Sequence, residues 1–196
     1  MRVSYLPSAE IASAINVLLL LEGVEESAPE VDVVSICCKH FDLAIHFTDL
    51  QEAYGENTLG MVLSEHKLIF CDHSIEPMGD NKTVKERIMR FTVAHELGHY
   101  LFHQEYMTSD RPPLFYHELS KVEKTRVEIQ ANIFAAMLLM PEKPFTETYD
   151  LLTSQDLKTK TIIERLSELF NVSKESVGYR IEAVKQSRES NVKTKG

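Results

Sequence analysis

Arg90-Phe91-Thr92-Val93-Ala94-His95-Glu96-Leu97-Gly98-His99-Tyr100-Leu101-Phe102-His103 is the stretch from which the rest of the chain is read. Its apolar residues recur at helical spacing and predict a packed helix over about 83–104. On a helix, His95 and His99 stand one turn apart on one face, so their imidazoles can converge on a single cation. Glu96 follows the first histidine directly and sits beside such a cation rather than on it, which is where a general base is needed. A solvated helix carrying two histidines is the bland alternative. The apolar flank argues against it: a buried Glu96 would cost several kcal/mol without a compensating metal, water or partner.

A catalytic zinc takes three protein ligands and keeps one open position. The extended pattern with a glycine at 102 and a histidine at 105 is excluded, because those residues are Phe102 and Glu105. His103 lies two turns below His95 and reads as a surface or packing residue. A carboxylate from the next long helix is the better third ligand, and Glu118, Glu123 and Glu128 are available. Glu128 is preferred. Ala131 and Ala135 on its flank let two helices approach closely, and Asn132, one turn on, can accept a hydrogen bond from a ligand imidazole. Zinc is the default ion, although two histidines and a carboxylate also accept manganese. The chemistry expected of such a site is hydrolysis of a peptide bond, with Glu96 moving the proton. Tyr106, Tyr116, His117, Tyr179 and Arg180 are candidate donors to the oxyanion, and sequence does not rank them.

Working outward, Ser8 to Leu21 predicts a first helix stopped by Gly23, and Val31 to His40 a second. Residues 43–47, 59–63 and 67–71 read as strands, the last two joined as a hairpin through Ser64-Glu65-His66. Residues 72–81 and 107–118 read as loops. A long helix is expected over about 120–140, then a polar stretch, then helices over 161–170 and 174–186 with the rhythm of a helix-turn-helix. The tail from Ser187 to Gly196 has almost no apolar residues and is expected to be disordered. The fold class is therefore α+β: mostly helical, with a small three-stranded sheet and a C-terminal helix-turn-helix-like pair. Residues 1–150 are expected as the main domain, 151–186 as the C-terminal pair and 187–196 as the tail.

The 196 residues carry a net charge of −9, so nucleic acid is not the obvious partner of the whole surface. Residues 1–154 hold 12 Lys+Arg against 24 Asp+Glu, whereas residues 155–196 hold 9 against 6. That basic end permits DNA contact, but the second helix of the pair mixes both signs. Packing or protein docking is the favoured reading and DNA contact the lesser one. Cys37, Cys38 and Cys71 form no disulfide framework and read as reduced thiols. No secretory signal is seen, and the apolar run Ile15 to Leu21 is too short to cross a bilayer. A cytoplasmic protein without membrane contact is expected.

The quoted stretch resembles the ImmA/IrrE-type metallopeptidases, as does Glu128-Ile129-Gln130-Ala131-Asn132-Ile133-Phe134-Ala135-Ala136-Met137-Leu138-Leu139-Met140-Pro141. Leu166 to Ser173, continued through Tyr179-Arg180, is a weaker third match. The resemblance covers roughly residues 30–185. It implies a zincin-like fold with His95, His99 and Glu128 as zinc ligands and Glu96 as base. It also implies a protein substrate: members relieve repression by cleaving a helix-turn-helix repressor, often encoded beside them on a phage or mobile element. A metal-stabilised protein that sequesters a repressor or binds DNA without hydrolysis is the alternative.

Overall fold

A computed structural model describes residues 6–23, 30–79, 81–104 and 121–193. Among these, eight α-helices surround one small sheet: α1 (Ser8–Leu21), α2 (Val33–Phe41), β1 (Ala44–Thr48), α3 (Leu50–Tyr54), β2 (Gly60–Leu63), β3 (Leu68–Asp72), α4 (Lys82–Phe102), α5 (Lys121–Leu139), α6 (Glu142–Ser154), α7 (Thr159–Leu169) and α8 (Lys174–Lys193). No described helix is long and apolar enough to cross a membrane.

The sheet has order β1-β3-β2. β3 pairs parallel with β1 and antiparallel with β2, and its Ile69 opposes both Ile45 and Val62. The expected hairpin is present, closed by a short 3-10 turn over Ser64–His66, after which Lys67 takes a left-handed φ of 56°. The sheet lies against α4. Val62, Ile69 and Cys71 from the strands share one buried apolar cluster with Val93, Ala94 and Leu97 of α4 and with Phe134 and Leu138 of α5. The six-residue apolar set Leu166, Phe170, Val172, Val177, Ile181 and Val184 of the C-terminal pair joins the same cluster.

Two helices depart from the sequence expectation. The polar stretch after Pro141 is helical. Phe145, Tyr149 and Leu152 recur at helical spacing and face the core, with Phe145 and Leu152 buried. Its threonines are accommodated because Thr146, Thr148 and Thr153 each donate to the carbonyl one turn back. Pro144 falls in the first turn, where a missing N–H costs nothing. Residues 50–54, between β1 and β2, form a further short helix with no counterpart among the expected elements. Its first turn is held by Asp72, whose carboxylate accepts from the Gln51 N–H at 2.9 Å.

The end of α8 is a second correction. The helix continues to Lys193, seven residues past its expected stop, so residues 187–193 are not a disordered tail. Arg188 grips Asp150 of α6 with two hydrogen bonds of 2.8 and 2.9 Å, which holds this turn in place. The loop expected over 107–118 lies outside the described residues.

Two cations brace the core helices. Arg90, buried on α4, reaches Glu30 at 3.0 Å. Arg87 donates to Ser167 Oγ and Asn171 Oδ1, tying α4 to the turn between α7 and α8. Ser173 caps α8 by accepting from the Ser176 N–H at 3.0 Å.

Candidate metal centre

The site is built where α4 meets α5. Gly98 sets the distance between them. A Cβ there would lie 3.0 Å from the Phe134 ring and 3.3 Å from Ala131 Cα, so a larger residue would push the helices apart. Glycine at 98 and alanine at 131 let the backbones close in, and Glu128, one turn before Ala131, then reaches the two histidines.

Three electron-pair donors converge. His95 Nε2 lies 2.9 Å from His99 Nε2 and 3.2 Å from Glu128 Oε2, and His99 Nε2 lies 3.7 Å from Glu128 Oε1. Two donors bound at about 2.1 Å to a tetrahedral ion stand about 3.4 Å apart. The observed separations bracket that value, so His95, His99 and Glu128 can hold a metal. The donor chemistry fits as well. Burial pushes the His99 imidazole down to about 3, helped by its proximity to His95, so it stays neutral and keeps a lone pair. Burial also disfavours a charged His95. The hydrogen bond to Glu128 and the Glu96 and Glu128 charges outweigh it, and its pKa rises. The Glu128 side chain is 39% exposed and His99 only 3%, so the cluster opens on the Glu128 side.

Each imidazole is held by its second nitrogen. His95 Nδ1 meets Asn132 Oδ1 at 3.0 Å, the contact expected from the sequence. His99 Nδ1 meets His103 Nδ1 at 3.0 Å, and His103 Nε2 meets Gln130 Oε1 at 2.9 Å. Of the two readings of His103, surface or packing, the structure shows the second: it is 1% exposed and hydrogen-bonded at both nitrogens. Gln130 was not anticipated at all. The signal was present in the apolar setting of the helix end, but its partner lies 27 residues away.

Glu96 is buried between α4 and β2. The Val62 N–H donates to its carboxylate, and burial, with Glu128 adding, pushes the carboxyl up to about 7 against the opposing pull of His95. Gly60 makes room for it. A Cβ at Gly60 would stand 2.4 Å from Thr92 Cγ2 and 2.8 Å from Glu96 Oε1. β2 is an edge strand, and no described strand pairs with the side that faces Glu96.

A cleft of about 1170 Å³ runs from Asn132 and Thr92 along α5 to α8. Tyr179 and Arg180 line it. Arg180 is buried, and its guanidinium donates to the Met140 carbonyl and to Glu142, which makes it a brace at the α5–α6 corner rather than a free oxyanion donor. Tyr179 is exposed, with its hydroxyl 3.4 Å from Glu175. Tyr106, Tyr116 and His117, like the alternative carboxylate Glu118, lie outside the described residues.

Fold and site together define a class: a mostly helical protein with a His–His–Glu cluster that can hold a metal beside a buried carboxyl. Residues 38–182 match the Peptidase M78 family, described as the IrrE N-terminal-like domain, and the chain belongs to that family. No curated relative matches the chain. Among solved structures it is similar to a chain described as Mycobacterium tuberculosis transcriptional regulator, at 15% identity and a TM-score of 0.57. The likeness covers 88% of this chain and 46% of that one, so it is one of fold over about half the length of that protein.

Proposed function

We propose that the protein is a zinc-dependent endopeptidase with a zincin-like arrangement, in which His95, His99 and Glu128 hold the ion, Glu96 is the general base and Asn132 orients His95. The observation that carries this reading is the convergence of the three donors beside a buried carboxyl whose pKa is about 7. A protein that used a metal only for stability would have no need of that carboxyl.

When bound, the ion supplies Lewis acidity, polarising a peptide carbonyl and acidifying a water molecule. The chain supplies the rest. Glu96 is poised near neutral pH, where a base both accepts a proton and returns it efficiently. It takes the proton of the attacking water and delivers it to the leaving amine. The Val62 N–H keeps its carboxylate aimed. The edge of β2 with which no described strand pairs would offer its remaining N–H and C=O groups to an extended peptide by strand addition, and such a peptide would run beside Glu96.

The substrate is proposed to be a helix-turn-helix repressor, cleaved to relieve repression of a phage or mobile element, in the cytoplasm. Membership of the Peptidase M78 family supports a protein substrate. The fold likeness to a protein described as a transcriptional regulator fits a regulatory setting. DNA contact by the C-terminal pair is disfavoured, because Lys174, Lys185 and Arg188 are each paired with a carboxylate. The test is to incubate the protein with a repressor encoded beside it, with and without a zinc chelator. Specific fragments that vanish with chelator are expected; an intact but inhibited repressor would instead indicate sequestration without hydrolysis.

A further inference from the structure

Gln130, His103 and His99 form an unbroken chain of polar contacts in a place that water does not reach. They are 4%, 1% and 3% exposed. Buried polar atoms must find partners, so the protons in this chain are not free to wander. A neutral imidazole has one donor and one acceptor nitrogen. The Gln130 Oε1 atom only accepts, so His103 Nε2, 2.9 Å away, carries a proton. His103 Nδ1 is then bare. The 3.0 Å contact between the two Nδ1 atoms has room for one proton, and it must belong to His99. His99 Nε2 is left with an exposed lone pair, and that is the nitrogen facing His95 and Glu128.

We infer that Gln130 and His103 are positioning residues that fix the tautomer of His99 and so aim its Nε2 lone pair at the cation. This rests on His99 being a metal ligand, as proposed above. The origin of the order is the amide of Gln130. Turned the other way, it would donate to His103 Nε2, reverse both remaining protons and place an N–H on His99 Nε2, where it would repel a cation. Asn132 performs the same task for His95 in a single step, through its carbonyl oxygen 3.0 Å from His95 Nδ1. The helix that supplies Glu128 therefore also supplies both orienting carboxamides. His103 differs from an ordinary satisfied core histidine because its partner is the one ring nitrogen of His99 that does not face the donors.

The experiment uses the full chain in two measurements. Long-range ¹H–¹⁵N NMR of the metal-free protein reads the imidazole tautomers directly. The inference expects His99 protonated at Nδ1; protonation at Nε2 would overturn it, whether or not any variant folds. Zinc affinity, measured by competition with a fluorescent chelator, is then compared between the wild type and Gln130→Met, which keeps the length and removes the acceptor. Loss of such an orienting partner costs about 10–100-fold in metal affinity. The variant should show that loss, together with a mixed His99 tautomer and an unchanged circular dichroism spectrum. A Gln130→Met protein with wild-type zinc affinity refutes the relay. A wild-type protein that takes up no zinc refutes the ligand reading instead, and the tautomer measurement still judges the relay on its own.

Discussion

Replacing Gly60 by alanine adds one methyl group where β2 closely approaches α4. That methyl would lie 2.4 Å from Thr92 Cγ2, 2.8 Å from Glu96 Oε1 and 3.0 Å from Glu96 Cγ. Carbon atoms in contact stand about 3.5 Å apart, so strand or helix must give way by about 1 Å. Overpacking of this kind costs about 1–3 kcal/mol. For a chain of this size that lowers Tm by about 2–12 °C. The methyl also displaces the carboxylate that is proposed to move the proton, and a misplacement of about 1 Å can cost about 100-fold in rate. Zinc binding should persist, because His95, His99 and Glu128 are not touched. Gly178 provides the control. It lies within α8 with nothing within 4 Å of an added Cβ, so Gly178→Ala should stabilise by about 0.5–1 kcal/mol. The assay is urea denaturation of both variants, with zinc content and repressor cleavage measured alongside. Wild-type stability and cleavage in Gly60→Ala would show that β2 does not confine Glu96 as described.

Three further outcomes are expected. Glu96→Gln should bind zinc normally while cleavage falls by about 100-fold or more, since a positioned base contributes about 10²–10⁴; undiminished cleavage would remove Glu96 from the mechanism. Glu22 receives hydrogen bonds from Ser35, Lys39 and His40, and these hold its carboxyl down at about 2, against 4.5 when unperturbed. Its pKa is depressed in the folded chain, so its stabilisation is present above about pH 4.5 and is lost as pH falls toward 2. Lys39 is well solvated, which screens the contribution to about 1 kcal/mol. In urea titrations the gap between wild type and Glu22→Gln should be present at pH 6 and close near pH 2; a gap that does not change with pH contradicts the assignment. Arg188→Ala removes an exposed ion pair and should cost under about 1 kcal/mol overall. Hydrogen exchange at residues 187–193 should nonetheless rise, and unchanged protection would mean that Asp150 does not hold this turn.

Much of the site was legible because its residues sit close together in sequence or on one helical face. His95, Glu96 and His99 need only the helical repeat to be placed. Glu128 and Asn132 are one turn apart, and the alanines beside them signalled a close helix crossing. What was hidden depends on contacts between distant segments. The burial of His103 follows from Gln130 on another helix. The need for glycine at 60 follows from Thr92 and Glu96 across the sheet–helix boundary, and a lone glycine in a strand does not announce its neighbour. The helix at Glu142–Ser154 was obscured because threonines and a proline lower local helix propensity, while Phe145, Tyr149 and Leu152 supply the packing that overrides it. The extension of α8 rests on an Asp150–Arg188 pair that no local pattern predicts. The fold class of helices around three strands, by contrast, follows from periodicity alone.

The central claim is that three side chains from two helices form one metal site. It is tested most directly by the zinc content of the purified wild type and of Glu128→Ala after identical stripping and reloading. One ion per chain in the wild type, and its loss in Glu128→Ala with the fold retained, is the predicted result. A full equivalent of zinc held by Glu128→Ala at unchanged affinity would contradict it.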